Sequence, residues 1–221
     1  MTKVLGIIGG GQLGMMIAEA AKDMGDQISK IIVLDPTENC PAAQVGAEQI
    51  VGDFKDKEAI MDLAKKSDII TYEIESGDSD VLKEAQSFAE INPSPETLRI
   101  IQDKFLQKTF LRENKIPVPD FIEISNFSDL QDGLKEFGYP AILKARRDAY
   151  DGRGNYKIDS PNKIQDAWDY FKGQKLMLER FVPFKMEVSV IASRNTRGQI
   201  KSFPLVENIR SEEHTSELQS P

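Results

Sequence analysis

The chain has 221 residues, 36 of them acidic and 28 basic, for a formal charge of −8, and 40% of its residues are hydrophobic. That length and apolar content suit one large or two modest globular domains with a real core, and the negative balance argues against a general nucleic-acid binder. No apolar run is long enough to span a bilayer, glycines from Gly6 to Gly14 interrupt any signal-peptide pattern, and the single cysteine, Cys40, permits no internal disulfide, so a reducing cytoplasm is the expected compartment.

In chain order, the apolar run Val4 to Ile8 predicts a strand, the glycines of Gly9 to Gly14 a turn, and the pattern from Leu13 to Met24 a helix. Ile31 to Leu34 predicts a second strand ending at Asp35, followed by a loop that holds Cys40-Pro41-Ala42-Ala43. Ile50 to Asp53 reads as a third strand, Lys57 to Lys65 as a helix, and Ile69 to Tyr72 as a fourth strand ending in the acidic Glu73-Ile74-Glu75. Strands alternating with helices predict a Rossmann-like parallel sheet, expected to stop after about four strands, over residues 1–95.

Ser94 as N-cap and Pro95 at the first helical position predict one long linking helix, about 96–113, ending before Pro117. Beyond it, Val118 to Ile124, Ala141 to Ala145, Tyr156 to Ile158, Leu176 to Phe181, Glu187 to Ser193 and Ile200 to Val206 read as strands. Helical patterns at Phe127 to Phe137 and Lys163 to Phe171 lie among them. Residues 96–209 therefore predict an α+β domain of antiparallel strands backed by helices, making the whole chain α/β.

Gly9-x-Gly11-x-x-Gly14 after a strand, with Asp35 about 20 residues on, satisfies the dinucleotide-binding fingerprint. The fingerprint discriminates weakly, because glycines serve any strand-to-helix turn and a helix N-terminus attracts any anion. With a second anion loop downstream, the turn is read as a substrate-phosphate or substrate-contact site, with a dinucleotide module as the alternative. That second loop is Lys144 to Gly154. A buried-strand signal runs into Lys144, Gly152 and Gly154 allow a tight hairpin, and Arg146, Arg147 and Arg153 supply forked donors that match phosphate oxygens. A solvated basic hairpin tip is the alternative for this segment alone. Lys104, Lys144, an extended Glu179 to Val182 edge suited to adenine, and Glu187 suited to ribose hydroxyls together favour a nucleotide site.

Read together, Gly6 to Gly14, Pro41-Ala42-Ala43-Gln44, Thr71-Tyr72-Glu73-Ile74-Glu75, Gln102-Asp103-Lys104, Lys144-Ala145-Arg146-Arg147, Tyr150-Asp151-Gly152-Arg153-Gly154 and Glu179 to Phe184 resemble the 5-(carboxyamino)imidazole ribonucleotide synthetases. These are ATP-grasp enzymes of purine biosynthesis, and the resemblance covers Val4 to about Ile209 in the family's order. It implies a pre-ATP-grasp domain followed by an incomplete ATP-grasp domain. It also implies a ligase that phosphorylates bicarbonate with ATP and carboxylates the amine of 5-aminoimidazole ribonucleotide. Lys104 and Lys144 would hold ATP. Ala149, Tyr150, Asp151, Gly152, Arg153, Gly154 and Asn155 would form the lid over its phosphates. Glu179, Arg180, Phe181 and Val182 would meet adenine, and Glu187 the ribose. Tyr150, Asp151 and Arg153 would be catalytic, with Asp151 facing the substrate amine. Gly11, Gln12, Leu13, Glu73 and Glu75 would bind the ribonucleotide. ATP and magnesium are the implied cofactors, bicarbonate and the ribonucleotide the substrates, and a homodimer the implied assembly, with no nucleic acid or membrane partner. A formate-dependent ATP-grasp relative acting on a glycinamide substrate is the neighbouring alternative.

Two departures from the family pattern stand out. Asp148-Ala149 occupies a place that is glycine-rich in many relatives, implying a stiffer and less cationic lid. Arg210 stands where the family has an ATP-contacting histidine, and residues 210–221 resemble the conceptual translation of a sequencing adapter. These residues are read as a non-native tail, a disordered polar C-terminus being the alternative. With the magnesium ligands expected in a later segment, the chain is expected not to turn over.

Overall fold

The structure, a computed structural model, describes residues 2–147 and 154–209, and the chain divides into two compact units, residues 1–110 and 111–221. In the first unit, β1 (Lys3–Ile8), α1 (Gln12–Asp23), β2 (Ile28–Asp35), α2 (Pro41–Gln44), β3 (Glu48–Val51), α3 (Lys57–Lys66), β4 (Ile69–Tyr72), α4 (Ser79–Ala85), β5 (Glu90–Ile91) and α5 (Pro95–Ile101) follow in order. The strands pair in parallel as β3-β2-β1-β4-β5. Both faces of the sheet are buried. Ile8, Ile32 and Leu34 pack with Ile60, Leu63 and Leu82 on one side, while Ile7, Ile31 and Val33 pack with Ala18, Ala21 and Ala42 on the other. Continuous apolar runs such as Ile31 to Leu34 are the expected signature of strands covered on two faces.

Three expectations for this unit are corrected. Pro41 to Gln44 is a short helix rather than part of a loop, since Pro41 at its start has no N–H to leave unpaired. The sheet has a fifth strand, β5, reached through α4, whose Asp78 cap accepts from the amides of Asp80 and Val81. The linking helix is not continuous: α5 ends at Ile101 and α6 (Lys104–Glu113) begins afresh. Two polar side chains interrupt it. Gln102 Nε2 donates to the carbonyls of Glu75 and Gly77, at 2.7 and 2.6 Å, while the buried Asp103 carboxylate accepts from the amides of Phe105 and Leu106. Ser94 does cap the first of the two helices, accepting from the Thr97 amide at 3.2 Å.

The second unit holds β6 (Phe121–Ile124), α7 (Phe127–Phe137), β7 (Ala141–Ala145), β8 (Asn155–Ile158), α8 (Ile164–Tyr170) and β9 (Leu176–Arg180). Its sheet runs β6-β9-β7-β8, antiparallel between all neighbours. Leu143, Ala145, Leu176, Leu178 and Ile158 pack under Leu130, Leu134 and Phe137 of α7 and Ala167 of α8. A capping box fixes the start of α7, with Asn126 and Asp129 each accepting from the other's amide. A β-carbon on Gly133 would press into Ile122 and Leu178, so this glycine lets α7 lie close on the sheet.

Two ribbons follow, β10 (Glu187–Ser189) with β13 (Val206–Asn208), and β11 (Ala192–Arg194) with β12 (Ile200–Ser202). The expected single strands at 187–193 and 200–206 are each broken in two. Pro204 lies between β12 and β13 and has no N–H to give a ladder. Pro119 likewise delays the first strand of this unit from Val118 to Phe121.

Candidate functional site

In the first unit the strand order reverses between β1 and β4, and open parallel sheets bind ligands outside the carboxyl ends of strands at such a point. Gly9 to Gly11 leave β1 there and Glu73 to Glu75 leave β4, with the Glu73 amide donating to Ile8 O at 2.9 Å. Gly9 has φ +101°, a conformation that favours glycine, and a β-carbon on it would stand 3.0 Å from Glu73 Oε2. A β-carbon on Gly14 would collide with the Gly9 carbonyl, so this glycine sets how closely α1 approaches the turn. Gly11, the residue before α1, faces open space. Gln12 and Leu13 are exposed beside it. Desolvation raises the Glu73 carboxyl above the ordinary glutamate range, and the neighbouring Asp35 charge raises it further.

Asp35 bears on the dinucleotide reading of the glycine turn. In a dinucleotide site this carboxylate must be available to a ribose hydroxyl. Here it is buried, its two oxygens accepting from the amides of Gly10 and Thr37 at 2.7 and 2.8 Å. It braces the turn from within.

In the second unit, alternation separates a helix-covered face of the sheet from a charged one. Two cross-sheet rows occupy the charged face: Lys157, Ile142, Glu179 and Phe121, then Asn155, Lys144, Met177 and Glu123. Lys144 and Glu179 are 4% and 3% exposed, and the ammonium lies 3.1 Å from Glu179 Oε1. Removing two charges from water is costly, and a buried pair persists only when each partner stabilises the other. Arg146, also buried, ion-pairs with Glu123, and the Arg112 guanidinium packs 4.5 Å from the Phe121 ring centre.

The remaining sequence candidates divide by surroundings. Arg180 is engaged within its own unit: its guanidinium donates to Asp120 at 3.0 Å and to the Phe137 carbonyl at 3.1 Å, and packs on the Phe137 ring. Phe181 is half-buried and Val182 exposed, just past the end of β9. Glu187 accepts from Asn208 Nδ2 at 3.0 Å across the β10–β13 ribbon. Gly154 is buried, its carbonyl accepting from the Ala145 amide, and Asn155 opens β8 opposite Lys144. Lys104 is the first residue of α6, and Glu75 lies in the acidic turn after β4. Ala149, Tyr150, Asp151, Gly152 and Arg153 lie outside the described residues, as do Asp148 and the tail from Arg210. Sequence reading missed Phe121, Glu123 and Lys157 as members of the charged face. Their signal is strand register, which a single sequence does not supply.

A switch point in a parallel sheet, followed along the chain by an antiparallel sheet with a buried lysine on its charged face, is the arrangement of the ATP-grasp class. The chain belongs to the ATP-grasp family: the model of the ATP-grasp domain matches residues 109–221, and that of the ribonucleotide synthetase preATP-grasp domain matches residues 1–102. Within that class it falls with the N5-carboxyaminoimidazole ribonucleotide synthetases. It is 41% identical over 212 residues to a phosphoribosylaminoimidazole carboxylase of Schizosaccharomyces pombe, covering 95% of this chain and 38% of that protein. It is 38% identical over 206 residues to the N5-carboxyaminoimidazole ribonucleotide synthase of Bacillus subtilis, covering 93% and 53%. A solved N5-carboxyaminoimidazole synthase of Aspergillus clavatus, in complex with ADP and 5-aminoimidazole ribonucleotide, superposes with a TM-score of 0.85 at 35% identity, covering 96% of this chain and 55% of that one. The chain thus spans about half the length, or less, of the relatives it matches.

Proposed function

We propose that this chain carries the ribonucleotide-binding unit and part of the ATP-binding unit of a ligase that carboxylates 5-aminoimidazole ribonucleotide in purine synthesis. In that reaction a bicarbonate oxygen attacks the γ-phosphorus of ATP, the bond to ADP breaks, and carboxyphosphate forms. Carboxyphosphate then yields phosphate and carbon dioxide, and the substrate's exocyclic amine forms the new N–C bond as it gives up a proton. Phosphoryl transfer of this kind is served chiefly by fixed cations and by exclusion of water.

Lys104 and Lys144 are assigned to ATP, residues 149–155 to the lid over its phosphates, Glu179 to Val182 to adenine and Glu187 to ribose. Gly11, Gln12, Leu13, Glu73 and Glu75 are assigned to the ribonucleotide, and Tyr150, Asp151 and Arg153 to the chemistry, with Asp151 at the amine. Among the described residues no group of three or more His, Cys, Asp or Glu side chains stands ready to hold a metal ion. A cytoplasmic homodimer is the proposed setting. The single, buried Cys40 suits a reducing compartment, and among the described residues no helix is long and apolar enough to cross a membrane.

The observation that carries this reading is the buried Lys144–Glu179 pair, a cation held in place on the sheet face of a chain whose two halves both match synthetase domains. ADP and 5-aminoimidazole ribonucleotide should each bind the 221-residue chain in calorimetry, and Lys144→Ala should abolish ADP binding while sparing the ribonucleotide. The natural protein carrying this sequence should release ADP from ATP only with both bicarbonate and the ribonucleotide present. ADP release that ignores the ribonucleotide, or follows formate, would overturn the reading.

A further inference from the structure

Lys157 is a further cation of the charged sheet face, exposed where Lys144 is buried. Register places it on β8 in the row Lys157–Ile142–Glu179, two strands away from β9. Its ammonium nonetheless stands 5.0 Å from the centre of the Phe181 ring, which follows the end of β9. The side chain therefore reaches from its own strand toward the end of β9. Its other partner is Asp159, whose Oδ1 lies 3.2 Å from the ammonium and whose Oδ2 is held by Lys163 at 3.0 Å. Lys163, Asp159, Lys157 and Phe181 form a chain of contacts running from a surface turn to the segment assigned to adenine.

Phe181 has lost the strand ladder that fixes its predecessors, so nothing in the regular sheet determines its ring position. A cation over the ring face supplies a directional restraint. We propose that Lys157 is a positioning residue of the nucleotide site, setting the Phe181 ring as a wall of the purine slot without touching the phosphates. This inference rests on the nucleotide reading of the same site. It adds that Lys157 acts on the base end of the ligand and acts through an aromatic ring, with Asp159 fixing the lysine in turn.

The test uses the full 221-residue chain and three probes, adenosine, ADP and pyrophosphate, with affinities measured by calorimetry. Lys157→Met, which keeps the length and removes the charge, should weaken adenosine and ADP equally, by about two- to fivefold for an exposed cation–π contact. Pyrophosphate binding should not change. Lys157→Arg should restore both affinities, and Asp159→Asn should reproduce a smaller part of the loss. Thermal melting should be alike for all variants, because the contact lies at a strand end outside the core. A loss confined to ADP and pyrophosphate would overturn the proposal by making Lys157 a phosphate ligand. Unchanged affinity in Lys157→Met would overturn it outright while leaving the nucleotide reading intact. Failure of the unmodified chain to bind either adenosine or ADP would overturn both readings together.

Discussion

Lys144 and Glu179 sit on adjacent antiparallel strands, one diagonal step apart, and share a buried contact of 3.1 Å. The two charges are in direct contact, so their substitutions should be strongly non-additive. Lys144→Met or Glu179→Leu alone should cost about 3–5 kcal/mol, because each removes the 3.1 Å ion-pair contact from a buried charge, whereas the double variant should recover most of the loss. Urea melts of the three variants check the stability cycle. ADP binding should be absent from the double variant even though it is folded, which separates the lysine's role in the site from its role in the core.

Glu73 provides a pH-dependent counterpart in the first unit. Burial, followed by the Asp35 charge, holds its carboxyl above the ordinary glutamate range, so the folded chain keeps this proton to a higher pH than the unfolded chain does. The sign follows. Its contribution is favourable below the unfolded value and is lost as pH rises through the raised folded value. Glu73→Gln should therefore raise the melting temperature at pH 7.5, with the gain shrinking towards zero at about pH 4, near the unperturbed glutamate value. Melting curves across that range decide it, and a gain independent of pH would refute the assignment.

Much of the fold was legible because strong local signals agreed with the tertiary structure. Ile31 to Leu34 read as a buried strand and is one, and the Ser94-Pro95 start of a helix survives with its cap. What escaped sequence reading depended on distant partners. The break at Gln102-Asp103 arises because Gln102 reaches back to carbonyls in the turn after β4, a contact invisible in helical periodicity. The two-residue strand β5 exists only because β4 offers an edge to pair with. Pro204, with no N–H to give a ladder, separates β12 from β13 inside the otherwise continuous apolar pattern. On the charged face, Lys144 stands out in the sequence as a lysine at the end of a buried-strand signal, whereas its pairing with Glu179 follows from register. Asp35 completed a sequence fingerprint while its buried geometry serves another purpose.

Gly11 and Gly14 lie three residues apart in one turn but should respond oppositely to substitution by alanine. Gly14→Ala pushes a methyl into the Gly9 carbonyl, and overpacking of this kind typically costs about 1–3 kcal/mol. Gly11→Ala meets nothing within 4 Å and starts from a β-region backbone, so the poorer N-cap and the smaller unfolded-state entropy, each about 0.5–1 kcal/mol and opposite in sign, should leave stability little changed. If the turn contacts the ribonucleotide, that same methyl occupies ligand space. Gly11→Ala should then weaken 5-aminoimidazole ribonucleotide binding about tenfold with the fold intact, as read by calorimetry alongside a thermal melt.

Asp103 links helix capping to the placement of Lys104. Its buried carboxylate accepts from the amides of Phe105 and Leu106, satisfying donors that the first turn of α6 would otherwise leave unpaired. Lys104 is the first residue of that helix, so the same interaction fixes where the lysine backbone begins. Asp103→Ala should cost about 0.5–2 kcal/mol, or roughly 1–8 °C in melting temperature for a protein of this size. Asp103→Asn keeps a good capping acceptor and should lose much less. If Lys104 serves ATP, ADP affinity should follow the cap: reduced in Asp103→Ala and largely retained in Asp103→Asn, at a temperature where both variants are fully folded. Equal ADP affinity in the two variants, despite unequal stability, would show that the start of α6 does not position a nucleotide ligand.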